Sequence, residues 1–163
     1  MALPAFPNPV NELSARLVAG GVVVMAATAI VLDLEWMTLV LAYGFLARVL
    51  AGPRFSPLAL LVTRVVTPSL PVDGRLVPGP PKRFAQLLGA LFTVAAAALT
   101  FGFDRFDLAQ VVLGILLVPA SLEAFAGYCV GCQVFGLLMR VGVIPESVCV
   151  ECADISRRLG ATA

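Results

Sequence analysis

Apolar residues are gathered into four long stretches that carry almost no charge. LVAGGVVVMAATAIVL runs from Leu17 to Leu32, and after Asp33 and Glu35 a second stretch runs from Trp36 to about Leu50. Phe84 to Phe103 and Leu108 to Ala126 form another pair, joined by Gly102 to Asp107. A helix needs about 20 residues to cross about 30 Å of hydrocarbon, so each stretch with its flanks is long enough to span. The expected spans are about 17–34, 36–51, 84–103 and 108–127, in two helical hairpins, the first with an acidic tip. Pro119, inside the last span, predicts a kink rather than an end. The fold expected is all-α: a four-span transmembrane helical bundle forming a single integral membrane domain over 1–163.

The connecting segments are less regular. PLALLVTRVV is too short to span and carries Arg64, which predicts an interfacial or re-entrant helix after span two. Pro68 to Pro81 contains five of the twelve prolines and reads as an ordered-to-extended loop. Met1 to Glu12 lacks the basic region, apolar stretch and small-residue cleavage site of a secretory signal and reads as a retained tail. Residues 128–163 form a cysteine-bearing C-terminal cap.

Composition narrows the function. Of 163 residues 60% are hydrophobic and 13% charged, with mean hydropathy +1.00, against about 45–50% and about 25% in ordinary soluble domains. A soluble enzyme is thereby disfavoured. The net charge is +1, so no basic surface for nucleic acid is expected, and the absence of His excludes imidazole chemistry. Arg16, Arg48, Arg54, Arg64, Arg75, Lys82, Arg83, Arg140, Arg157 and Arg158 fall on one side of the four spans, and only Arg105 falls on the other. Since cytoplasmic loops retain basic residues, both termini, the central loop and all four cysteines are expected in the cytoplasm.

The cysteines form C-x2-C-x16-C-x2-C: Cys129, Cys132, Cys149 and Cys152. That spacing suits a four-thiolate zinc site, in which a loop brings two pairs of soft ligands together, and a reducing cytosol leaves thiols free for metal. An amphipathic helix within Gln133 to Pro145 would fold the second pair back on the first. The competing reading makes each pair a dithiol that exchanges electrons or carries sulfur. Ser147 could then cap a short helix whose N-terminus lowers the pKa of Cys149, while Gly127 and Gly131 leave the first pair open to a partner.

Gly52-Pro53-Arg54-Phe55-Ser56-Pro57, Lys82-Arg83-Phe84-Ala85-Gln86 and Gly127-Tyr128-Cys129-Val130-Gly131-Cys132 together resemble a bacterial integral membrane family known as domain-of-unknown-function family 4395, over roughly Asn8 to Phe135. The resemblance implies a four-helix protein of the bacterial plasma membrane. It also implies an association with thioredoxin-like and rhodanese-type sulfurtransferase proteins. It singles out Cys129 and Cys132 as the motif of the family.

Other residues have two readings each. Arg54 and Arg83 could hold a sulfur oxyanion beside the cysteines, though basic residues at span ends more often set topology or meet lipid phosphates. Ser56 could cap the helix begun by Pro57, and Gln86 could make an interhelical hydrogen bond. Glu123 lies six residues before Cys129. An acid at that depth either accepts a thiol proton, pairs with Arg83, or snorkels to the interface. Gly20-Gly21 and Ala95 to Ala98 read as close-packing surfaces. The leading expectation is thiol redox or sulfur transfer at the cytoplasmic membrane face. Its alternatives are a scaffold with a structural zinc, or a sulfur-oxyanion transporter. A homo-oligomer would suit so small a chain.

Overall fold

The computed structural model describes residues 8–72, 74–150 and 152. It has four helices long and apolar enough to cross a membrane: Glu12–Val31, Met37–Ser69, Gly79–Phe103 and Phe106–Ala126. The protein is a multi-pass helical bundle. Arg157 and Arg158, with most of the expected tail at the N-terminus, lie outside the described residues.

α1 (Glu12–Val31) starts five residues earlier than hydropathy suggests. Its start is fixed by a cap: Asn11 Oδ1 accepts from Ser14 N at 3.3 Å, and Glu12 places an acid in the first turn. After the tip, where Asp33 adopts φ 51°, α2 (Met37–Ala51) returns. Gly52, at φ 64°, ends it. A 3-10 turn (Gly52–Arg54) leads to Ser56-Pro57, and Pro57 opens α3 (Pro57–Leu61) at the position where a missing N–H costs nothing. α3 continues through a π turn (Val62–Val66) into α4 (Thr67–Ser69). This is the short helix expected after span two; Ala59 and Val62 bury it against Val18 of α1, with Arg64 exposed.

The proline-rich stretch carries short regular elements. β1 (Val10–Asn11) pairs antiparallel with β2 (Leu76–Val77), a small strand pair that an all-α reading omits. Pro80 and Pro81 sit in the first turn of α5 (Gly79–Phe103), so this helix begins five residues before the expected Phe84. Proline at the start of a helix promotes it; only in the interior does it break it. Asp104, in the left-handed conformation, closes α5, and α6 (Phe106–Ser121) passes into a π turn (Leu122–Ala126) three residues after Pro119. Gly127, at φ 67°, stops it. α7 (Val130–Arg140) then folds back.

α1, α2, α5 and α6 enclose one core made largely of small residues: Ala26, Ala29, Ala90, Ala96 and Ala109 with Val22, Leu41, Phe45, Leu113 and Leu116. Small side chains let helix backbones approach where lipid offers no hydrophobic drive to association. Gly21 faces Leu58 closely enough that an added Cβ would lie 2.7 Å from it, as expected of a packing surface. Ala96 is fully buried, but Ala95 and Ala98 point outward. Arg16 donates to the carbonyls of Ala124 and Phe125, at 3.4 and 3.0 Å, tying the start of α1 to the end of the last span. Asp33, Glu35, Asp104, Arg105 and Asp107 lie at the opposite end, where Gln110 donates to Asp33 at 2.6 Å.

Candidate functional site

The first cysteine pair lies where the end of the last span turns into α7. Cys129 is the N-cap of α7: its backbone is extended and its Sγ accepts from the Cys132 N–H at 3.3 Å. Three residues make one helical turn, so the C-x-x-C spacing places Cys132 Sγ 2.6 Å from Cys129 Sγ. Both are free thiols; Cys129 is buried and Cys132 half-buried. Ser147, expected as a cap ahead of Cys149, falls inside a 3-10 turn (Glu146–Val148) that has no side-chain cap bond.

The two thiols are unequal. The Cys132 hydrogen bond holds the pKa of Cys129 below that of an ordinary thiol and prevails over burial and the nearby Glu123; Lys82 and the backbone N–H act with it. Cys132, which donates that bond and is partly withdrawn from water, is pushed up. The pair thus holds one thiol whose ionisation is favoured over that of its neighbour, the asymmetry that thiol exchange uses.

α7 is clamped to α5. Phe135 meets Phe84 with ring centroids 5.7 Å apart. Gly131 faces Ala85 so closely that a Cβ there would lie 2.6 Å from the Ala85 Cβ. Gly131 is therefore a packing glycine, closed by α5 rather than open to a partner.

Beside Cys129 the bundle contains buried charge. Lys82 Nζ donates to Glu123 Oε1 at 2.6 Å, with side-chain exposures of 10% and 14%. Glu123 thus pairs with Lys82, not with Arg83, and it points inward instead of snorkelling. Successive helical residues are about 100° apart, and Lys82 takes the interior face while Arg83 is exposed and donates to the Val49 carbonyl at 3.1 Å. Arg48 is buried over the Phe45 ring. Its Nε donates to Gln86 at 2.8 Å and its Nη1 to Ser56 at 3.4 Å. Gln86 makes the interhelical bond expected of it, and Ser56 stands at the N-cap position of α3 without a side-chain cap bond.

A cavity of about 490 Å³ joins these groups: Arg48, Gln86, Glu123 and Cys129 line it together with apolar residues of all four long helices. A smaller one of about 180 Å³, bordered by Lys82, shares Arg48 and Gln86 with it. Arg54 and Arg83, the cations singled out for an anion, line neither and are exposed. Arg48 and Lys82 occupy the interior instead. Their signal is phase: Lys82, Gln86, Gly89, Thr93, Ala96 and Thr100 recur at three- and four-residue steps and mark the inward face of α5.

Cys149 and Cys152 form a disulfide with each other. Among the described residues no three His, Cys, Asp or Glu are grouped as a metal site needs. Each cysteine thus has its nearest sulfur partner within its own C-x-x-C.

A match to a domain of unknown function, DUF4395, covers residues 10–140. The chain belongs to this family. The matched range takes in the four long helices, the Lys82–Glu123 pair, Cys129, Cys132 and α7, and ends before Cys149. Neither a curated protein nor a solved structure matches the chain.

Proposed function

We propose that this protein is a membrane thiol-redox protein in which Cys129 and Cys132 alternate between dithiol and disulfide, exchanging with a thioredoxin-like or sulfurtransferase partner. The observation that carries this reading is the free pair itself: two thiols 2.6 Å apart, one a helix cap beside a buried cation. In the oxidised form a partner thiolate attacks Cys132, the more accessible sulfur. Cys129 leaves as the stabilised thiolate, since the thiol of lower pKa leaves faster. The second partner thiol then attacks the mixed disulfide and releases Cys132. The partner is oxidised by two electrons, and the pair is reduced by the same two.

The Cys149–Cys152 disulfide fits the same chemistry, because disulfides in reducing compartments are mostly transient and catalytic. Basic residues at the cysteine-bearing end support a bacterial plasma-membrane protein with that end in the cytoplasm. The test mixes oxidised protein with a thioredoxin-like probe whose second cysteine is Ser. A covalent adduct mapping to Cys132, absent in Cys132→Ser and Cys129→Ser, is expected. No adduct, together with one zinc bound per chain through the four cysteines, would overturn the reading in favour of a zinc-clasped scaffold.

A further inference from the structure

The roughly 490 Å³ cavity has a shape that thiol exchange with a protein does not require. Its wall on α5 extends from Ala85 to Phe92, a rise of about 10 Å along the helix. At the end beside Cys129 it presents polar groups, Arg48, Gln86 and Glu123; further in it is lined by Val22, Phe45, Leu88, Phe92 and Leu116. Ile115 and Val118 complete the wall and are 53% and 62% exposed on the outer face of α6, where the bundle meets lipid. Volume and lining match a small-molecule site, which is about 300–1,000 Å³, mostly apolar, with a few placed polar groups. Cys129 lines this cavity and is only 8% exposed, so a small molecule inside reaches a sulfur that a protein partner does not.

We propose that the cavity binds a lipid-soluble quinone entering from the bilayer past Ile115 and Val118, and that the quinone oxidises the Cys129–Cys132 dithiol. This rests on the redox reading above and supplies its electron acceptor. The apolar wall takes the quinone's substituted ring and the start of its tail. Arg48 and Gln86 provide N–H donors for a ring carbonyl, a site for the charge that develops there. Two S–H bonds break and one S–S bond forms between Cys129 and Cys132. The two electrons and two protons pass to the quinone oxygens, giving a quinol that returns to the membrane. Lys82 and Glu123 border the reacting sulfur and offer a path for the second proton.

The experiment uses the fully reduced chain in phosphatidylethanolamine–phosphatidylglycerol vesicles, without oxygen, and a fully substituted benzoquinone with no ring position open to thiol addition. Quinone loss by absorbance and thiol loss by mass tagging are followed together. One quinone consumed per Cys129–Cys132 pair is expected. In Ala120→Phe, which fills space in the cavity, the ratio of quinone-driven to diamide-driven oxidation should fall about tenfold, equivalent to roughly 1.4 kcal/mol of lost quinone binding. Leu88→Trp, on the facing wall, gives the same comparison should the first variant fail to fold. Thiols that diamide oxidises and the quinone leaves reduced would overturn this inference and leave the redox reading standing. An unchanged ratio in the filled variants would also overturn it. Thiols that neither reagent joins would overturn both.

Discussion

Gly131 is the point at which the cysteine turn is held to the bundle, and Gly131→Ala tests whether that close approach shapes the site. A Cβ at residue 131 would lie 2.6 Å from the Ala85 Cβ and 2.7 Å from the Ala85 Cα, where separations tighter than 3.4 Å are rare. Alanine has no rotamer with which to yield. α7 must therefore withdraw from α5 by about 0.8 Å. Overpacking of this kind costs about 1–3 kcal/mol. The withdrawal also pulls Phe135 from Phe84 and lifts the Cys129 cap away from the cavity. Two readouts follow: thermal unfolding in detergent micelles, which should fall by several degrees, and alkylation of Cys129 by a small reagent, which should accelerate. Ala85→Gly in the same chain removes the opposing methyl group but leaves the backbone of α5 in the way, so it should restore only part of both. An unfolding temperature and alkylation rate equal to those of the parent chain would refute the docking of α7 through Gly131.

Other outcomes follow from the buried charges and the unequal thiols. Lys82→Met leaves Glu123 uncompensated in the interior and should cost about 3–5 kcal/mol; Lys82→Met with Glu123→Leu should recover most of it, so a double-mutant cycle that came out additive would contradict the pairing. In the reduced protein Cys129 should alkylate at a lower pH than a free thiol, and Cys132 at a higher one. The sign follows from the reagent's need for thiolate, which accumulates only as pH rises through each group's pKa. Two rate profiles with coincident midpoints, read by peptide mass spectrometry, would contradict the cap and hydrogen bond assigned to Cys129.

The spans were legible because crossing hydrocarbon demands long uncharged runs, and no other arrangement of Leu17 to Leu32 or Phe84 to Phe103 satisfies that demand. Their starts were not legible from hydropathy. Caps and prolines set them, as Asn11 does for α1 and Pro80-Pro81 for α5. Which face of an apolar helix turns inward was harder still, since almost every residue is compatible with lipid. Arg54 and Arg83 were therefore singled out ahead of Arg48 and Lys82, and only packing shows the first two exposed and the other two buried. The C-x-x-C of Cys129 and Cys132 stood out as a motif. The spacing of the four cysteines suits one four-thiolate cluster as well as two separate pairs, because spacing alone does not say which sulfurs approach each other.

The central claim is that Cys129 and Cys132 form a redox couple. Its most direct measurement is the thiol state of both residues, by mass tagging, across graded ratios of reduced to oxidised dithiothreitol, with zinc content assayed on the same sample. A redox couple gives one two-electron transition for this pair, abolished by either Cys129→Ser or Cys132→Ser, in protein without stoichiometric zinc. Thiols that stay reduced across the whole range, or one zinc per chain lost when a cysteine is replaced, would contradict it.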